Sequence, residues 1–158
     1  MEQFEGFPPI SDDKATILIV GSMPSVKSIE RGEYYGHPTN DFWPIISSIY
    51  NVEFTTYQDK VDALNEHHIA LWDVLASCER EKSKDNSIKN GRIHDFPHFF
   101  REHPYIGKIV ANGKVAYNQL LLIKKDIDKT PFYYAPSTSK AYPLAFSQKV
   151  ALWTALLS

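Results

Sequence analysis

The sequence predicts an α/β protein, a three-layer α/β/α sandwich around a central four-stranded parallel sheet. Three observations predict it. Four short apolar runs rich in β-branched or aromatic residues recur along the chain, segments with helical apolar spacing separate them, and Gly, Pro, Asn or Ser follows each run. Short strands alternating with helices imply right-handed crossovers and a sheet covered on both faces. With 158 residues, 43% of them hydrophobic, one domain over 1–158 can bury its own core.

The first strand is expected in KATILIVGSMPS, residues 14–25, which runs into Gly21 and Pro24. After a loop containing YYGHPTN, FWPIISSIY has helical spacing, with Asn40 or Asp41 available as a cap and Pro44 tolerated in the first turn. TYQDKVDALNEHH predicts a second helix, and IALWDVL, from Ile69, a second strand. EREKSKDNSIKNGR, residues 79–92, holds five basic and three acidic residues and reads as a polar loop. HDFPHFFREH predicts a short helix capped by Asp95, with Pro97 just inside. YIGKIVANG gives the third strand, stopping at Asn112 and Gly113, and KVAYNQLLLIKK the next helix. PFYYAPSTS supplies an aromatic fourth strand, and LAFSQKVALWTALLS the last helix. In such a sheet, ligands bind beyond the carboxyl ends of the strands. That edge would gather GSMPS, WDVLAS, NGK and PSTSKAYP, with YYGHPTN hanging from the first loop.

Composition narrows the function classes. The opening MEQFEGFPPISDDK is acidic rather than basic and then apolar, and no apolar run is long enough to span a bilayer, so a cytoplasmic protein is expected. Cys78 is the only cysteine, which excludes an internal disulfide and Cys-rich metal sites; a packed, inert thiol is expected. Residues 1–70 hold 4 Lys+Arg and 11 Asp+Glu, so the formal charge of -2 hides a basic second half. That asymmetry is compatible with a basic face for nucleic acid.

Motifs exclude more. Neither GxGxxG nor GxxxxGK[ST] follows the first strand, and no GxSxG elbow is present. His94 and His98, four apart, could share a helical face, but no further ligand pattern accompanies them, and no metal or cofactor is expected.

What remains is an aromatic pocket with amide, imidazole and carboxylate groups beside small-residue loops. GSMPS, EYYGHPTNDFW, ALWDVLASCER, VANGKVA and PSTS, followed by a helix bearing Trp153, occur in an order and spacing that resemble the uracil-DNA glycosylase superfamily, and most closely its hypoxanthine-DNA glycosylase branch. The resemblance runs from about Thr16 to Trp153. It implies hydrolysis of the N-glycosidic bond of a deaminated base in DNA, hypoxanthine foremost, by base flipping and water attack. No cofactor and no strand cleavage are implied. Other branches place Asp, Asn or Glu after the first strand to orient the water, where this chain has Met23. The resemblance therefore implies that Asn40 takes that role. A second departure is Lys140 after PSTS, where the branch suggests Pro; it bears on the DNA-inserting loop, Lys140 to Tyr142.

Chemistry assigns expectations to the rest. A flipped base needs stacking and edge hydrogen bonds: Tyr34, Tyr35 and Phe42 can supply the surface, Tyr35 or Phe42 being favoured, with Met23 in the same base-binding group and Trp43 expected in the core. Ser22 or a backbone N–H of GSMPS would hold water, base or phosphate, and His37 could donate to the leaving purine. Asp73, as an acceptor-only carboxylate, could read the ring N–H that adenine lacks; its ordinary role would be to cap VLAS. Asn40's ordinary role would be a helix cap. Ser137, Thr138, Ser139 and Lys140 are expected on the DNA backbone, with Lys84, Lys89, Arg92 and Lys114 as further basic candidates. The partner would be DNA containing a deaminated base, the protein a monomer without a membrane association. The alternatives are uracil-DNA glycosylase activity, a catalytically inactive DNA-binding module of this fold, or a hydrolase or transferase of free nucleosides.

Overall fold

The computed structural model describes residues 1–127 and 129–158. At its centre lies a four-stranded, wholly parallel sheet of β2 (Ile17–Gly21), β3 (Ile69–Asp73), β6 (Lys108–Asn112) and β7 (Phe132–Ala135), in the order β3-β2-β6-β7. Register follows the apolar runs: Ile17 lies opposite Ile69 on one side and Lys108 on the other, and Ile109 lies opposite Phe132. Alternate residues of each strand face opposite sides. Ile19, Leu71 and Val110 pack with α2 (Phe42–Tyr50), α3 (Tyr57–Glu66) and α6 (Phe146–Leu157). Leu18, Val20, Ala70 and Ile109 pack with α4 (Phe96–Glu102) and α5 (Lys114–Leu122). The three expected layers follow directly.

Local signals start the helices. Thr56 and Asp59 form a capping box at α3, and Asp95 accepts the His98 N–H at α4, with Pro97 in the first turn. At α2 the two candidate caps divide the work: Asp41 occupies the cap position without a side-chain cap bond, while Asn40 Oδ1 accepts the Phe42 N–H at 2.9 Å.

Three local expectations are corrected. Residues 79–92 are not simply a loop: β4 (Leu75–Arg80) extends into them, Asp85–Ser87 makes a 3₁₀ turn, and β5 (Lys89–Ile93) leaves them. With β1 (Glu2–Glu5) these form a second, antiparallel sheet, β1-β4-β5. Every residue of β5 is exposed, so the strand had no apolar alternation to announce it. The chain after GSMPS also forms a short helix, α1 (Val26–Arg31), capped by Ser25 and ended by Gly32 at φ 66°. His94 and His98 share no helical face, because His94 precedes the α4 cap and stacks on Trp72 at 4.0 Å while His98 meets Glu102 at 2.7 Å. Cys78 is free and buried. Among the described residues no helix is long and apolar enough to cross a membrane.

Candidate active site

A cavity of about 450 Å³ opens at the carboxyl edge of the parallel sheet. Its lining comes from Gly21 to Ser25 after β2, Asp73 at the end of β3, Asn112 at the end of β6 and Ser137 to Ala141 after β7, with the 34–40 turn across the mouth and Arg80, Ser83 and Asp85 along one side. The loops grouped by the fold prediction therefore meet.

Gly21 is the point of closest approach. A Cβ there would lie 2.6 Å from Asp73 Oδ1 and 2.9 Å from the Tyr35 hydroxyl. Only a residue without a side chain lets both groups converge. Asp73 is 4% exposed, and its Oδ2 has no hydrogen-bond partner. Burial pushes its carboxyl up to about 7; Asp85 adds to the rise and Arg80 opposes it. The Tyr35 hydroxyl is likewise buried and unpartnered, and burial raises its pKa, so it stays protonated and can donate.

Tyr35 holds an unusual backbone, φ 52°, for a residue with a side chain. Its ring stacks on Phe42 at 4.3 Å and 23°. Phe42 is 1% exposed, lies edge-on to Trp43 and Trp153, and backs Tyr35 without lining the cavity. Tyr34 lines it, but its hydroxyl donates to the Pro8 carbonyl at 2.8 Å, its N–H to Tyr57 Oη at 3.0 Å, and its carbonyl accepts from Trp43 Nε1 at 2.7 Å. Tyr34 thus fastens the turn that presents Tyr35. Trp43 is core, as expected.

Asn40 is half-buried at the cavity wall. The Phe42 N–H occupies one lone pair of its Oδ1, and a carbonyl oxygen has two. His37, exposed at the mouth, accepts the Thr39 N–H on Nδ1 at 3.2 Å. In the neutral ring that leaves Nε2–H as the donor. Ser22 is buried, and Gln119 Nε2 donates to its Oγ at 2.9 Å. Met23 packs against Leu75 and Cys78 and presents only apolar surface.

The strap of residues 136–142 closes the far wall. Thr138, 1% exposed, is gripped twice by Asn112: Nδ2 donates to its Oγ1 at 3.0 Å and Oδ1 accepts its N–H at 3.1 Å. Its carbonyl accepts the Asp41 N–H at 2.9 Å, and Trp153 Nε1 donates to the Pro136 carbonyl at 3.0 Å. Ser137 is half-buried, and Ser139 and Lys140 are exposed. Thr138 therefore faces inward, unlike Ser139 and Lys140. Lys84, Lys89, Arg92 and Lys114 are exposed and do not line the cavity.

Sequence reasoning missed several members of this constellation. Asn112 stood at the expected ligand edge within NGK but had no assigned role, Gln119 had no motif, and Arg80 fell in the supposed polar loop. Arg80 is fully buried, donating from Nε to the Lys82 carbonyl at 2.6 Å and from Nη2 to the Pro24 carbonyl, with Nη1 3.9 Å from Asp85 Oδ1. It braces the Met23–Pro24 loop. Asp41 and Lys149 were missed as well: Lys149 Nζ lies 3.2 Å from Asp41 Oδ2, an ion pair of two buried residues. Among the described residues no three His, Cys, Asp or Glu side chains converge as metal ligands.

A parallel sheet carries at its carboxyl edge a polar, partly aromatic cavity with a hydroxyl-rich strap beside it, a geometry able to enclose a small planar group. The chain belongs to the uracil DNA glycosylase superfamily, whose family model matches residues 8–157. It is 39% identical over 112 residues to a Methanosarcina barkeri protein named hypoxanthine DNA glycosylase, covering 70% of this chain and 71% of that one. It is 38% identical over 120 residues to a Methanosarcina acetivorans protein of the same name, covering 73% and 76%. A solution NMR structure from Methanosarcina acetivorans, of a protein named for uracil DNA glycosylase, superposes with a TM-score of 0.85 at 30% identity, over 99% of this chain and 97% of that one. The resemblance read from the motifs and the expected fold class both hold.

Proposed function

We propose that this chain is a DNA glycosylase that hydrolyses the N-glycosidic bond of a deaminated base, hypoxanthine foremost, and leaves the strand intact. The observation that carries the reading is the convergence of Asp73, Tyr35 and Asn40 on one cavity at the carboxyl edge of the sheet. The names of the two Methanosarcina relatives support the choice of base.

In this reading the base leaves the duplex stack and enters the cavity. The Tyr35 ring, stiffened from behind by Phe42, offers it a flat face. Ionised Asp73 accepts the ring N–H that hypoxanthine and uracil carry; adenine presents a bare ring nitrogen to the same oxygen and is refused. The free lone pair of Asn40 Oδ1 orients the attacking water below the sugar carbon. Capping and water orientation coexist in this amide because they use different lone pairs. As the bond breaks, charge grows on the base, and His37 Nε2–H and the Ser22 loop, both lining the cavity, are available as donors. Ser137, Ser139 and Lys140 grip the backbone, with Thr138 holding the strap in shape. Lys140 and Lys149 both lie against Asp41, which favours hydrolysis over Schiff-base chemistry.

The test is base release from matched duplexes carrying a single hypoxanthine, uracil, xanthine or normal adenine. Release of hypoxanthine and none of adenine is expected. A protein that binds these duplexes but releases no base from any of them would instead be a binding module of this fold.

A further inference from the structure

We propose that Lys149 is a positioning residue for base release, holding the strap and the Asn40 turn in fixed mutual register through Asp41 and the Ser139 carbonyl. Lys149 sits on α6 at 1% exposure, in the buried stripe continued by Trp153 and Leu157 four and eight residues on. An apolar side chain would suit that stripe. Instead its Nζ donates to Asp41 Oδ2 at 3.2 Å and to the Ser139 carbonyl at 3.0 Å, and lies 5.9 Å from the Tyr142 ring centre.

Such a pair is a poor device for stability, because taking both charges out of water offsets much of their attraction and well-packed apolar replacements are often neutral or better. Its geometry serves another purpose. Asp41 adjoins Asn40 in the chain, and its N–H donates to the Thr138 carbonyl. Its carboxylate makes no cap bond to α2, a task left to Asn40, and is wholly given to the lysines. One ammonium therefore ties together three segments: the last helix, the strap expected on DNA and the turn carrying the amide expected on water. If the strap fixes the sugar-phosphate and Asn40 fixes the water, the Lys149 contacts set the distance between nucleophile and sugar carbon.

The inference rests on the proposed base release, and the experiment separates the two. Single-turnover release of hypoxanthine and affinity for the same duplex are measured for wild type, Lys149→Met, Asp41→Asn and the double variant Asp41→Asn/Lys149→Met. The double variant removes the pair without stranding a buried charge and decides the matter should Lys149→Met fail to fold. The rate is expected to fall roughly 10- to 100-fold in the double variant, the cost of an ångström-scale misplacement. Affinity should stay within about threefold, since the exposed phosphate contacts are untouched. Asp41→Asn, which keeps an acceptor for Lys149, should retain most of the rate. A folded double variant that releases base at the wild-type rate, or loses rate only in step with affinity, overturns the positioning role while leaving the glycosylase reading intact. A wild-type protein silent on every duplex removes both.

Discussion

The two walls of the cavity treat their polar groups in opposite ways. On the strap side, Asn112, Thr138, Asp41 and Lys149 satisfy one another. On the β2–β3 side, Asp73 Oδ2, the Tyr35 hydroxyl and Arg80 Nη1 are buried without hydrogen-bond partners. Unpartnered buried polar groups are costly, and native proteins keep them at places where function asks for them. The contrast separates a saturated wall from an unsaturated one, and on the proposed function the second is where a base would supply the missing partners. Substitutions at Asn112 and Thr138 should change stability and those on the second wall chemistry, with the Asp41–Lys149 pair as the proposed link through which the strap wall reaches the rate.

The largest expected effect concerns Asp73. Its folded pKa, about 7, lies well above the value of roughly 3.9 expected in an unfolded chain. Between those values the folded protein binds more protons than the unfolded one, so stability falls as pH rises from about 4 to about 7, by up to about 4 kcal/mol if this group acts alone. Asp73→Asn should flatten that fall and raise the melting temperature at pH 8, while weakening release of hypoxanthine or the refusal of adenine. Thermal unfolding of both proteins from pH 4 to pH 8 checks the first part; parallel profiles would mean that the carboxylate is comfortable where it lies. In the wild type, hypoxanthine release should decline as pH falls through about 7, because the acceptor becomes a protonated acid.

Asn40→Ala comes next. Loss of the amide should lower single-turnover release by about 10²- to 10³-fold, the range seen when one preorganised polar group is removed. Stability should fall by only about 1 kcal/mol, from loss of the bond to the Phe42 N–H. Full release by Asn40→Ala would return this residue to the scaffold side. Thr138→Val should do the reverse: it strands Asn112 Nδ2, costing about 1–3 kcal/mol in denaturant unfolding, and leaves the rate per folded molecule nearly unchanged. A rate loss with unchanged stability would erase the distinction between the walls.

These walls were unequally legible in the sequence. The parallel sheet was, because four apolar runs and the helical periods between them fix strand, crossover and carboxyl edge. Asp73 and Asn40, which both line the cavity, could be put at its edge because each sits where a run ends or a turn begins. Phe42 was harder: aromatic spacing cannot distinguish the ring that faces a ligand from the ring behind it, and here Tyr35 intervenes. The antiparallel sheet was hidden because the apolar cluster it helps form holds only Met23, Leu75 and Cys78, with Phe4 and Ile88 alongside, too small a face to impose alternation on β5. The Asp41–Lys149 pair joins residues 108 apart in the chain, and no local pattern announces so distant a partner.

Lys140 gives the smallest effect and the finest test of the contrast. It shares Asp41 with Lys149, but its side chain is 65% exposed against 1% for Lys149, and its Nζ lies 3.4 Å from Oδ1. With its ammonium in solvent, Lys140 adds little, between zero and about 1 kcal/mol, and Lys149 still neutralises Asp41, so Lys140→Ala should leave the melting temperature nearly unmoved. On DNA the same ammonium can exchange Asp41 for a phosphate, and each such contact adds about 0.9 to the slope of log affinity against log salt. Lys140→Ala should therefore flatten that slope by nearly one contact and weaken binding similarly on every duplex, whatever base it carries. Because the wild-type lysine must first leave Asp41, the loss in affinity should be smaller than a free lysine would give. A variant with the wild-type slope would place Lys140 on the scaffold with Lys149, making the whole Asp41 cluster part of the saturated wall.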